Sequence, residues 1–409
     1  MEHIYNFFNN SIKKIFFSIK DSFCPENDGR KLGVCIRSVR EIPKNEYKKL
    51  KCLKKRDDNY VLNETEYMNR AVELLSYPSE LRISIETRCN FNPPCVYCDW
   101  EYAKRLEVND LYNIFSLNVF EELGLYYENA IKVVDCSYGE PFLHPDFKNI
   151  LNKLDEDKKH FEFTTNGSLL NNNNQNLVLG KDIHMYISID ANNAITYSHY
   201  RNNCFDLIVK NLIELCKRKK NYNNLPEVTI SFLAMKSNYH EIEGFIQLCK
   251  KIGVDSVKVR FLDKYNTLND KTTVRGEWSF EYKKEILNYS EIKRVSTLAK
   301  KNAAKEKIDL WIDDVSEDDE KEVFCDEPWK KVNFLKRGIM PCCFARVPLI
   351  DNIPTELNVF EKINYTLKSQ LFGELRGSLA SGDYPKFCKA VNCPMVRQKG
   401  NNRVKKIIR

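Results

Sequence analysis

The chain has 409 residues, 43% of them apolar, and 64 basic against 57 acidic side chains give a formal net charge of +7. That is ample apolar material for a large domain with appendages, and a charge too mild for this length to indicate a nucleic-acid partner. No stretch approaches the roughly 20 apolar residues of a membrane helix, no secretory signal is evident at the start, and the 15 cysteines are an odd number outside any small secreted framework.

The expectation is therefore a soluble, cytoplasmic protein without a membrane span, whose thiols stay reduced and serve metal. Residues 1–80 read as an N-terminal helical extension. Ile4, Phe8, Ile12, Ile15, Ile19 and Phe23 fall near one helical face, with Lys13, Lys14 and Lys20 elsewhere, so an amphipathic helix packed on the main domain is expected over 1–24. Beyond it the chain is charged and irregular, with a strand pattern at 32–39 and a helix pattern at 65–75. The basic runs Lys48–Arg56, Cys216–Lys220 and 403–409 read as solvated faces.

From Leu81 short β-rich runs alternate with helix-compatible segments. The runs are RISIET, IKVVDC, HFEFTT, MYISID, VTISFLAM and DSVKVRFL, separated by segments such as FKNILNKL, FDLIVKNLIELCKR and YHEIEGFIQLCKKIG. Six such units imply an α/β fold of parallel strands with right-handed crossovers, which suits an open, partial (β/α)6 TIM-like barrel over 81–265. Directly after the first run, ISIETRCNFNPPCVYCDW sets Cys89, Cys95 and Cys98 in one loop that Asn90, Asn92, Pro93 and Pro94 keep out of a regular helix. A loop of this kind wraps thiolates around a compact inorganic centre, and three thiolates on a four-iron cubane leave one iron open. By itself C-x5-C-x2-C fits an iron–sulfur site, a zinc site or plain packing.

Residues 266–322 read as a charged, mostly helical connector ending in KIDLWIDD and an acidic run. In 323–409 the composition changes to a small cysteine-rich subdomain, with Cys325, Cys342, Cys343, Cys388 and Cys393.

After the second run comes SYGEPFLHPDF, after the third TTNGSLL, and after the fourth an alanine, then Arg201 in SHYR. With the three-cysteine loop, these motifs resemble in order, type and spacing the radical S-adenosylmethionine (SAM) enzymes, over about residues 80–265. The first gap between cysteines is wider by two residues than that family's usual three. The resemblance implies a (β/α)6 partial barrel with its active site at the carboxyl ends of the strands, and a catalytic [4Fe-4S] cluster on Cys89, Cys95 and Cys98. It implies a SAM site in which Glu140 accepts from the cofactor ammonium, Gly139 gives close backbone approach, and Tyr138 and Pro141 complete the motif, with Tyr138 standing where the family often has glycine. It further implies Tyr97 by the adenine, Asn166 and Ser188 reaching ribose hydroxyls, and Arg201 paired with the SAM carboxylate, a contact its forked guanidinium suits.

The terminal cysteines resemble the SPASM or shorter twitch extension, which implies one auxiliary [4Fe-4S] cluster from Cys325, Cys342 or Cys343, Cys388 and Cys393. Gly338 matches that extension's G-x4-C step and favours Cys343; a structural zinc site on the same residues is the competing reading. The function so implied is a radical SAM oxidoreductase or maturase acting on a peptide, protein or sugar-type metabolite. It would take its electron from a flavodoxin- or ferredoxin-type donor. The alternative, a zinc-stapled RNA-binding or RNA-modifying protein on the same barrel, predicts colourless protein and salt-sensitive nucleic-acid binding. His144 reads as structural, and Cys136, Cys204, Cys216 and Cys249 as core.

Overall fold

The computed structural model describes residues 2–3, 17–18, 44–98, 115–262, 271–312, 325–335, 338–342, 345, 348–385 and 388. The chain falls into two units, Met1–Asp58 and Asn59–Arg409. In the first, β1 (Glu2–His3) pairs antiparallel with β2 (Phe17–Ser18). Where it is described, the expected helix over 1–24 is thus replaced by strand; the rest of that stretch, and the strand expected at 32–39, lie outside the described residues. A helix covers Lys44–Met68, so the helix pattern at 65–75 marks its end. The Glu66 carboxylate accepts from the Leu75 and Ser76 amides at 2.7 and 3.2 Å, drawing the chain back after Arg70, whose φ is 55°.

All six β-rich runs form strands of one sheet: β3 (Glu80–Ile83), β4 (Lys132–Asp135), β5 (His160–Thr165), β6 (Ile183–Ser188), β7 (Glu227–Ala234) and β8 (Ser256–Phe261). They pair side by side, in chain order and in parallel. A hairpin follows, β9 (Thr272–Arg275) with β10 (Trp278–Glu281). The sheet then gains β11 (Asp309–Ile312) beyond β8, and β12 (Lys331–Leu335) beyond β3, both parallel, with β13 (Gly338–Met340) antiparallel on the outer side of β12. Among the described residues β11 and β13 end the order without pairing with each other, so the sheet described is open, as a partial barrel is.

The stretch expected as a mostly helical connector therefore contains a hairpin and an edge strand besides the helix Tyr289–Glu306. The cysteine-rich region likewise supplies two strands to the sheet. Four-residue runs with half-exposed faces, such as DLWI, carry too little periodicity to stand out in sequence.

One face of the sheet is apolar and fully buried, through Leu81, Ile83, Val133, Phe161, Phe163, Met185, Ile187, Val228, Ile230, Val257 and Val259. It belongs to a core shared with the helices Phe147–Glu156, Phe205–Lys219 and Ile242–Ile252. Because strand side chains alternate, the other face presents Glu80, Arg82, Lys132, Glu162, His184, Tyr186 and Lys258. That face is polar, unlike the branched-aliphatic layers that fill a closed eight-stranded barrel.

Candidate functional site

Three loops at the carboxyl ends of neighbouring strands are fastened to one another. The Asp135 carboxylate, at the end of β4, accepts from the amides of Ile85 at 3.1 Å and Ser137 at 3.0 Å and from the Ser137 hydroxyl. The Gly139 amide then donates to the Glu86 carbonyl at 3.1 Å, and the Glu140 amide to that of Arg88 at 2.8 Å. A Cβ on residue 139 would lie 2.5 Å from the Arg88 carbonyl oxygen and closer still to that of Glu86. The glycine is thus required where the second loop crosses the start of the cysteine loop. Tyr138 beside it is 37% exposed, and Pro141 is buried as the first residue of the 3-10 turn Pro141–Leu143.

Glu140 is 1% exposed. Its carboxylate accepts from the Thr165 hydroxyl at 2.7 Å, the Asn166 amide at 2.8 Å and the Phe142 amide at 3.4 Å. Burial nevertheless pushes its pKa up to about 7, against the pull of these donors. A ligand ammonium reaching this carboxylate takes the place of one of them. The same turn after β5 meets the cysteine loop: the Asn166 side-chain Nδ2 lies 2.8 Å from Asn90 Oδ1 and 3.9 Å from Cys89 Sγ, and Asn90 Nδ2 donates to Ser168 Oγ at 2.9 Å.

Arg201 ends the helix Ala194–Tyr200 and is buried. Its Nε and Nη2 donate to Asp190 Oδ2 at 2.8 and 2.6 Å, and its Nη1 lies 3.7 Å from Cys95 Sγ. Burial opposes the guanidinium charge, yet Asp190 and then Tyr97 hold its pKa above the ordinary value. The Tyr97 hydroxyl donates to the same Asp190 oxygen, and the Arg201 guanidinium lies 5.6 Å from the Tyr97 ring centroid. The other Asp190 oxygen accepts from the Leu233 amide at 2.6 Å. Ser188, half-buried, closes β6 two residues earlier.

Cys89 is exposed, and Cys95 and Cys98 are half-buried. Three soft sulfur ligands on one loop, with N–H donors directed at two of them, match the donor set of an iron–sulfur cluster. The structure thus brings Tyr97, Gly139, Glu140, Asn166 and Arg201 to the cysteine loop or to the residues fastened to it. Asp190, Thr165, Lys271 and Arg275 were missed by sequence reasoning. Arg275, on the hairpin, donates to the carbonyls of Pro94 (2.5 Å), Ser198 (3.0 Å) and Arg201, while Lys271 donates to the Cys98 carbonyl at 3.1 Å. Asp190 had a signal, a single acid just past a strand end; the two cations, inside a charged connector, had none.

In the terminal region Cys325 and Cys388 pack on one apolar cluster around Trp329, Leu375 and Leu379. Cys342 packs on another, around Leu335, Met340 and Ala345, which Cys136 also touches. Cys136 and Cys204, expected as core, are half-buried, whereas Cys216 and Cys249 are buried. Cys343 and Cys393 lie outside the described residues. His144 is structural, its Nε2 2.8 Å from the Phe115 carbonyl oxygen and its Nδ1 accepting from the Asp146 amide at 3.1 Å.

Residues 83–249 match the family model of the Radical SAM superfamily. The chain is 29% identical over 187 residues to a probable GTP 3′,8-cyclase of Methanocaldococcus jannaschii, covering 44% of this chain and 58% of that protein. It is 25% identical over 190 residues to the tungsten-containing aldehyde ferredoxin oxidoreductase cofactor-modifying protein of Pyrococcus furiosus, covering 44% of this chain and 50% of the relative. The chain thus spans little more than half the length of these relatives. Its fold is similar to that of Streptococcus suis SuiB bound to precursor peptide SuiA, with a TM-score of 0.54, 17% identity, and coverage of 83% of this chain and 75% of SuiB. It is also similar to anSMEcpe with bound AdoMet and a Cp18Cys peptide, with a TM-score of 0.52, 16% identity, and coverage of 73% and 82%.

Proposed function

We propose, on the match of residues 83–249 to the Radical SAM superfamily model, that this chain is a radical SAM enzyme using Cys89, Cys95 and Cys98 to hold a [4Fe-4S] cluster that binds SAM. When bound, the cluster and SAM together supply reductive cleavage of the sulfonium to a 5′-deoxyadenosyl radical. The observation that carries this reading is the placement of Arg201 and Asn166 beside the sulfurs of Cys95 and Cys89 at the carboxyl ends of the strands. Their N–H groups offset thiolate charge and fix the direction of the loop. Glu140 is the acceptor for the SAM ammonium. Because its carboxyl holds a proton up to about pH 7, taking the ammonium displaces that proton, and SAM affinity rises as pH rises through 7. Ser188 and Asn166 serve the ribose, and Tyr97 the adenine side.

Cys325, Cys388, Cys393 and one of Cys342 and Cys343 form the auxiliary cluster in this reading; the shared packing of Cys325 and Cys388 supports it, and the separate packing of Cys342 favours Cys343. The substrate class is a peptide, supported by the peptide-bound structures of similar fold; the electron donor in this reading is a flavodoxin- or ferredoxin-type protein. A nucleotide substrate is the second reading, favoured by the cyclase relatives over the matched domain. Anaerobically reconstituted protein given SAM and dithionite should form 5′-deoxyadenosine, and Cys98→Ser should not. Iron-loaded protein that makes none overturns the proposal. Stimulation by GTP rather than by peptides would select the second reading.

A further inference from the structure

On the polar face of the sheet, near the amino ends of its strands, three side chains converge without a part in the site above. We propose that His160, Glu162 and His184 form a binding site for a divalent transition-metal ion of the zinc class, with three protein ligands and one open position. His160 Nε2 lies 3.4 Å from Glu162 Oε1, and His184 Nδ1 lies 4.0 Å from the same oxygen. One donor atom from each residue fits within a mutual 4.8 Å. A tetrahedral ion with ligand bonds of 2.0–2.2 Å spaces its donors by about 3.3–3.6 Å, so closure needs only sub-ångström shifts for the first pair and modest ones for the second.

Each imidazole is already held by its other nitrogen. His160 Nδ1 is 2.7 Å from Asp182 Oδ1, and an ionised carboxylate only accepts, so Nδ1 carries a hydrogen; Nε2 faces the Glu162 carboxylate at 3.4 Å and donates to it while the imidazole is protonated, so an entering metal displaces that proton to reach the Nε2 lone pair. His184 Nε2 is 2.7 Å from Thr229 Oγ1, itself 2.6 Å from Ser256 Oγ, which leaves Nδ1 toward the centre. A ligand histidine anchored through its second nitrogen by a carboxylate or hydroxyl is the outer arrangement that metal sites use. Two histidines and a glutamate with a position left open make a set that zinc accepts.

Besides that proton the competitor is Lys132, whose Nζ is 2.8 Å from Glu162 Oε1. The same ammonium reaches Glu80 Oε2 at 3.5 Å, and the side chain is 30% exposed. Metal entry therefore moves Lys132 onto Glu80 and leaves no buried ammonium behind. Glu162 lies four residues before Asn166, roughly 13 Å along an extended chain, so the ion is separate from the cysteine loop.

Cobalt(II) titrated into full-length, cluster-loaded protein cleared of loose metal tests the proposal. One equivalent should give the visible spectrum of four- or five-coordinate cobalt without thiolate-to-cobalt charge transfer. His184→Ala should abolish it, and His160→Gln, a change at a partly exposed residue that leaves the core untouched, should weaken it about tenfold or more. Lys132→Met should tighten it, a result that a purely structural ion-pair network does not produce. Absence of that spectrum, charge-transfer bands from thiolates, or unchanged binding in both His160→Gln and Lys132→Met overturns it.

Discussion

Asp190 is 1% exposed, has a φ of 61° and faces a buried guanidinium, so two separate demands meet at one residue. Asparagine tolerates that backbone conformation and keeps an acceptor for the Leu233 amide, but it leaves Arg201 without its counter-charge. Asp190→Asn is therefore expected to cost about 3–5 kcal/mol in denaturant unfolding, the range for removing one partner of a buried pair. A loss below about 0.5 kcal/mol, the scatter of ordinary surface changes, would refute the pairing. Glu140 offers a test with the opposite sign from most carboxylates. Its pKa rises from 4.5 to about 7, so between those values the folded chain holds a proton that the unfolded chain has lost. Stability from this group is full below pH 4.5 and falls by about 3 kcal/mol as pH rises through 7. Glu140→Gln should remove that slope; unfolding curves of both proteins at pH 5 and pH 8 decide it, and identical slopes would show the carboxylate to be solvated.

At the scale of elements, the strands of the central sheet were legible because their apolar runs are bounded by turn residues and separated by long amphipathic helices. The edges were not: β11 and β12 are short, and β12 carries Lys331 and Asn333, so neither reads as a strand without its neighbour. The same holds for the site. Glu140, Asn166 and Arg201 stand in motifs, whereas Lys271 and Arg275 reach the cysteine loop only because a hairpin folds back over it. What the motif could not reveal about Gly139 was its contact, which is with protein backbone. Gly139→Ala should destabilise the fold by about 1–3 kcal/mol and lower iron retention, since the loops must part to admit a methyl group. Normal iron content with unchanged melting would show that the crossing is slack.

For the whole molecule, the sheet divides its labour between two ends. Its carboxyl end gathers the cysteine loop, Glu140, Asn166 and Arg201, fastened by hydrogen bonds among three loops and overlaid by the hairpin. Its amino end holds the histidine–glutamate group on the polar face. The added strands tie the cysteine-rich region to this frame, β12 lying directly beside the strand that leads into the cysteine loop. Electron paramagnetic resonance of anaerobically reconstituted, dithionite-reduced protein with and without SAM tests cluster and cofactor together. A reduced four-iron signal that changes when SAM is added is expected, with no SAM-sensitive signal in Cys98→Ser. A signal indifferent to SAM, or zinc in place of iron, would contradict it.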